Sequence, residues 1–286
     1  MTQLEKVNIQ IAKLKNLPPL PEVSMKIMTA VNNSDISVDE LVDVISLSPV
    51  LTARLLGLAN SSYFGRSTPV DNLRTAIIQV LGLNLVKSLA LSLVLNVELD
   101  TSQCKLFDTS YFWSHSLITA IVAQKLAAHF DDELLTPNTV YTSGLLLNIG
   151  LIAAVYILPE EINKIFASTE HTEGSVSKAM VLSLGFSQYE LGEILLNRWK
   201  LPGIYPKVLR EFRKSEFTGK EQVLVKLLEL SHLIGLYIVT DTHEDFPSIL
   251  ELHSELPLTD KSLKLVIDEI VANKDSIKDL ALLVGA

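Results

Sequence analysis

The side chains able to do chemistry in this chain are few and widely spaced. His115 lies in Trp113-Ser114-His115-Ser116, and His232 lies in a long apolar segment. Asn148 interrupts Ser143-Gly144-Leu145-Leu146-Leu147-Asn148-Ile149-Gly150, a stretch otherwise almost wholly apolar. A metal-dependent hydrolase would want a histidine and an aspartate side by side at such a place, because imidazole and carboxylate suit a catalytic divalent ion. Leu147 has no lone pair to give, and the neutral amide of Asn148 is a poor substitute for a carboxylate. This one stretch therefore separates an enzyme from a protein that only looks like one. Cys104 is the only cysteine, so there is no intrachain disulfide and no zinc-thiolate cluster. Nothing near it activates a thiolate, and it reads as a half-buried structural thiol. No serine sits in a nucleophile-elbow pattern, and no glycine-rich phosphate cradle occurs.

One local positive concentration stands out: Arg198, Lys200, Lys207, Arg210, Arg213, Lys214 and Lys220. Lysine and arginine at solvated helix ends account for it, since cations suit the C-terminal dipole. The functional alternative is an anion or nucleotide-phosphate surface.

The elements that position these residues are helical throughout. Leu4, Val7, Ile11 and Leu14 are spaced for an amphipathic helix over Met1 to Lys15. Prolines 18, 19 and 21 break it, and Pro21 can start the next helix. Ser37 with Glu40, and Ser187 with Glu190, are capping boxes. Pro49 opens a helix that ends in the polar turn Asn60-Ser61-Ser62-Tyr63-Phe64-Gly65, and Gly82 separates two more helices. His115 falls within a long helix from Asp108 to Phe130; taken alone, it reads as a satisfied core histidine. Thr136-Pro137 opens one helix carrying Leu147 and Asn148 and limited by Pro159. Further helices span Ser175 to Leu184, Tyr189 to Trp199, Leu201 to about Arg213, Gly219 to Val239, Ser248 to His253, Thr259 to Ala272 and Asp275 to Val284. The segment Thr240 to Phe246 is acidic and polar and reads as a loop.

The chain has 286 residues, 48% hydrophobic and 20% charged, with 12 glycines and 11 prolines. That composition affords a sizeable core and long helices. A net charge of -9 argues against general nucleic-acid binding, which needs excess lysine and arginine. The mixed, charged start is no signal peptide. The most apolar run, Gly144 to Leu158, is shorter than the roughly 20 residues needed to span a bilayer. A cytoplasmic location, with no membrane partner, is the expectation.

Several spaced motifs together resemble the HDOD family. They are Leu17-Pro18-x-Leu20-Pro21, then Ser48-Pro49-x-Leu51-Thr52-x-x-Leu55-Leu56-x-Leu58-Ala59-Asn60-Ser61-x-Tyr63-x-Gly65, then Ala76-Ile77-x-x-x-Leu81-Gly82. The family consists of bacterial all-helical output domains related to the HD metal-dependent phosphohydrolases. One departure is Ser48, where the family usually has aspartate; serine also caps a helix, so the fold should survive.

The resemblance implies an all-α fold of two packed lobes. Residues 1–100 form the N-terminal lobe, 101–240 a degenerate HD-like lobe, and 241–286 accessory C-terminal helices. It places the HD relatives' first metal-binding histidine at His115 and their His-Asp pair at Leu147 and Asn148. A further histidine would fall near Gln188, a tandem histidine pair near Glu211 and Phe212, and the last aspartate at His232. Only the first expected donor is in place. The resemblance therefore implies no catalytic residue, no metal and no cofactor. It leaves His115, Leu147, Asn148, Gln188, Glu211 and His232 as a remnant pocket, holding a hydrogen-bonded network or a small ligand. It further implies a stand-alone signalling or regulatory module that binds a partner protein, with self-association open as a second mode. Asn60, Ser61 and Tyr63 are the candidate contact surface, though the same residues make a good structural turn. Arg198, Lys200, Lys207 and Arg210 are the candidate anion surface. The alternative is a metal-dependent phosphohydrolase with an atypical ligand set.

Overall fold

In a computed structural model of the chain, residues 20–33, 35–61, 64, 68–169, 173–214, 217–240, 249 and 252–285 are described. The helix expected over Met1 to Lys15, the prolines at 18 and 19, Tyr63, Gly65 and positions 241–246 of the expected loop lie outside them. Among the described residues there is no strand, and the fold is all-α as the sequence predicts.

The first lobe comprises α1 (Glu22–Asn32), α2 (Val38–Ser46), α3 (Pro49–Ala59), α4 (Leu73–Ala76) and α5 (Leu83–Glu98). Its boundaries follow from local chemistry. The Ser37 hydroxyl accepts from the Glu40 N–H while the Glu40 carboxylate accepts from the Ser37 N–H, so two orphan donors are satisfied reciprocally. Ser48 caps α3 through the Leu51 N–H, with Pro49 in the first turn, so serine does the work expected of aspartate there. A π-helical turn, Ile77–Leu81, ends at Gly82, whose φ of 77° is open to glycine without a β-carbon penalty. Ile27, Leu41, Ile45, Leu55, Leu58 and Leu89 are nearly inaccessible and form this lobe's core.

The second lobe comprises α6 (Thr109–Ala127), α7 (Pro137–Leu146), α8 (Ile149–Ile157), α9 (Pro159–Ser168), α10 (Glu173–Leu184), α11 (Gln188–Arg198), α12 (Ile204–Glu211) and α13 (Gln222–Thr240). The last two helices are α14 (Asp260–Ala272) and α15 (Lys274–Gly285). Helix α6 is the axle of the molecule. It is buried on every side from Phe112 to Ala120, as a helix in the middle of a core must be, and it packs against α7, α13, α14 and α15.

Two features differ from the sequence expectation. The helix from Pro137 does not run unbroken to Pro159; it stops at Leu146, and Asn148 has φ -100° and ψ 11° before α8 begins. The apolar pattern continues through the break, so periodicity gives no sign of it. Pro159 then starts α9 rather than merely ending what precedes it, because proline fits a helix's first turn.

Two helical stretches, Pro137–Ile157 and Gln222–Thr240, are long and apolar enough by composition to cross a membrane. Their most apolar windows are 83% and 61% buried inside the fold, which accounts for their apolar character. Helix α15 is more than an accessory cap: it packs on α6 and also on α5 and α3, and Arg54 Nη1 donates to the Val284 carbonyl at 3.5 Å. It thus joins both lobes.

Candidate functional site

His115 comes from α6, Asn148 from the break between α7 and α8, Gln188 from the first turn of α11, and His232 from α13. All four are buried, with Gln188 and His232 at 0% exposure. The fold brings them together as a chain of hydrogen bonds. Gln188 Nε2 donates to Asn148 Oδ1 at 3.0 Å, and Asn148 Nδ2 lies 3.2 Å from His115 Nδ1. His115 Nε2 lies 3.2 Å from the backbone carbonyl oxygen of His232, with Thr119 Oγ1 at 3.4 Å.

The direction of this chain is fixed from one end. A backbone carbonyl can only accept, so His115 Nε2 must carry the proton it donates to His232. In the neutral ring Nδ1 then accepts, so Asn148 turns its NH₂ toward it. The Asn148 oxygen thereby faces Gln188, which must present its own NH₂.

Close helix crossings hold these groups in place. A β-carbon at Gly150 would overlap the backbone carbonyl of Gln188, so only glycine lets α8 approach α11 here. Gly192 faces it on α11, where a β-carbon would come within 3.3 Å of the Gly150 nitrogen. A β-carbon at Gly235 on α13 would lie 2.8 Å from Thr119 Oγ1 and 3.2 Å from His115 Nε2. Aromatic rings close the far side. The His115 and His232 rings meet edge to face at 4.7 Å, the Phe212 ring stands against His232 at 5.5 Å, and Tyr189 lies 4.8 Å from Phe212. Arg213, next to Phe212, has φ 62°, and its N–H is held by Glu229 Oε1 at 2.7 Å. Burial pushes the Glu229 carboxyl above its ordinary range.

Leu147 is fully buried beside this network. Glu211 is not part of it: its carboxylate pairs with Lys214 at 3.2 Å, and the neighbouring Phe212 takes the place at the His232 ring. Thr119 and Gly235 were not singled out from the sequence, and Phe212 entered only as the second position of the tandem pair; Thr119 left a trace, one helical turn beyond His115. Cys104 is buried, and its thiol is pushed up by burial, which suits an inert structural role.

The donor set does not fit the metal of the HD phosphohydrolases. Both nitrogens of His115 are directed at protein partners, the Leu147 position offers nothing, and the amide of Asn148 replaces a carboxylate. Among the described residues no group of three or more histidines, cysteines or acidic residues could hold an ion.

The surface candidates are partly engaged elsewhere. Asn60 receives the Val70 N–H at 2.7 Å and donates to the Val70 and Leu56 carbonyls at 2.8 and 2.9 Å, so its side chain ties down the turn. Ser61 is half-buried. Lys207 pairs with Glu221 at 2.8 Å and Arg210 with Glu193 at 2.7 Å, while Arg198 and Lys200 are exposed.

Residues 17–213 match the family model described as HDOD domain. A solved structure described as a "Putative signal transduction protein", from Marinobacter aquaeolei VT8, is 26% identical with TM-score 0.78, covering 95% of this chain and 60% of that one. Another, described as a "Putative phosphohydrolase" from Shewanella amazonensis SB2B, is 21% identical with TM-score 0.74, covering 96% and 97% of the two chains; at that identity it bears on fold alone. An uncharacterized protein of Treponema pallidum (strain Nichols) is 27% identical over 204 residues, 70% of this chain and 38% of that protein. The chain thus spans well under two thirds of the Treponema relative and 60% of the Marinobacter one.

Proposed function

Because the chain belongs to the HDOD domain family, we propose that it is a non-catalytic regulatory output module of bacterial signal transduction, cytoplasmic, acting by binding a partner protein. The observation that carries this reading is the state of His115. Its two ring nitrogens are spent on Asn148 and on the His232 carbonyl, at the place where a hydrolase would direct one of them at an ion. The fold alone argues for no activity, since one scaffold hosts many functions.

The first lobe, which carries the Asn60–Ser61 turn, offers a contact surface that exposes Leu47, Val50 and Ile78 at 51%, 55% and 57%. Large apolar side chains left half in water are the usual raw material of an interface core.

Two measurements test this. Elemental analysis of the purified chain should find iron, manganese and zinc well below stoichiometric, and a phosphatase and phosphodiesterase screen should find no turnover. Capture from the source cell should recover one protein that is lost when Leu47→Glu and Val50→Glu are combined. Stoichiometric metal with turnover abolished in His115→Ala would replace this reading with the phosphohydrolase one.

A further inference from the structure

Beside the hydrogen-bonded chain lies a cavity of about 260 Å³, and His115 and Asn148 form part of its lining. Its other walls come from the connection between α5 and α6, from α6 itself, and from α8, α9 and α10. We propose that this cavity is a binding site for an uncharged, largely apolar small molecule of one or two fused rings.

The lining sets the chemistry. Phe107, Phe112 and Phe166 form an aromatic wall, with Phe107 centred 5.6 Å from Phe112 and 6.2 Å from Phe166. Leu151 and Val176 add aliphatic surface to the lining. Flat rings stack well against such a wall, and burying apolar surface supplies the affinity. The polar floor adds little more, because His115 and Asn148 already face each other at 3.2 Å. Ligand sites with mostly apolar walls and a few polar groups are the common kind, and apolar cavities of roughly 150 Å³ already take up benzene.

Charge excludes the rival class. Among the described residues no lysine or arginine lines the cavity, so a phosphate or carboxylate entering it would be stripped of water with no such cation to meet it. Among the described residues the one carboxylate in the lining, Asp108, caps α6 by accepting from the Tyr111 N–H at 2.9 Å, and its charge repels anions from the same space. Nucleotides are therefore disfavoured here.

The connection between the lobes forms one lip of this space. Leu106 and Phe107 belong to it, and Asn163 of α9 pins it by accepting the Leu106 N–H at 3.0 Å. An occupant would touch the segment that carries the first lobe.

The inference stands independently of partner binding, because it is read on the purified chain alone. Indole is titrated into the full chain by calorimetry and ligand-observed NMR, with adenosine monophosphate as the anionic control. Saturable indole binding and no binding of the nucleotide are expected. Leu151→Trp, which fills the cavity, should weaken indole by at least about tenfold. Val176→Phe fills it from a different helix, α10, and circular dichroism confirms that each variant is folded, so one failure to fold leaves the other in hand. Absence of saturable indole binding, indole binding indifferent to a folded filling variant, or nucleotide binding that a filling variant removes would each overturn the proposal.

Discussion

The two lobes solve helix packing in opposite ways. In the first, helices meet through interlocking leucine and isoleucine side chains, and Gly57 of α3 faces open space, with nothing within 4 Å of where its β-carbon would be. In the second, helices meet backbone to backbone at Gly150 and Gly192, while Gly235 makes room for the Thr119 and His115 side chains, around a buried polar chain. Their buried polar groups differ in the same sense. Lys87 in the first lobe is solitary, its Nζ donating to the Asn33 carbonyl at 2.6 Å at the end of α1. His115, Asn148, Gln188 and the His232 carbonyl form a connected row across α6, the α7–α8 break, α11 and α13. A side-chain interface can yield by a rotamer; a backbone contact cannot, so the polar row is held by neighbours with no slack.

The sharpest way to break this contrast is Gly150→Ala. The added methyl meets a carbonyl oxygen, so a loss of at least about 3 kcal/mol in denaturant unfolding, or loss of cooperative folding altogether, is expected. His115→Ala comes next, at about 3 kcal/mol, because it takes from the buried Asn148 amide and the His232 carbonyl the ring that bonds both. Replacing His115 and Asn148 together by leucine should cost less than the sum of the single changes, and a double-mutant cycle reads that coupling. Lys87→Met should shift stability by no more than about 1 kcal/mol at pH 7, since it removes both a desolvated ammonium and one hydrogen bond. Its pH profile carries the sign. Burial lowers the Lys87 pKa from 10.5, so the unfolded chain binds the proton more tightly. The penalty on the native protein is full below the folded pKa and lifts as pH rises toward 10.5, so wild type should gain on the methionine variant over that alkaline window in urea titrations. Gly57→Ala is the smallest change and has the opposite sign, a gain of about 0.5–1 kcal/mol from helix propensity at an uncrowded site. A loss there would mean that the first lobe is packed as tightly as the second.

The capping boxes at Ser37 and Ser187 were legible from residue type and spacing, and the structure has both. The break after Leu146 was not, because Leu145, Leu146, Leu147 and Ile149 give one continuous apolar signal across it. The grouping of His115, Asn148, Gln188 and His232 rested on family resemblance, since no local pattern links positions so far apart. The same limit hid Gly150 against Gly192: a lone glycine does not announce what it touches. Phe212 rather than Glu211 reaches the His232 ring because α12 ends at Glu211 and the chain turns there. The cavity depends on shape, which residue order does not record.

The carbonyl of His232 has a consequence beyond holding a ring. It acts as a fixed pole for everything upstream, so neither amide can rotate by itself without setting like against like. With the imidazole neutral the row has one polarity, and the two amides hold it together or turn together.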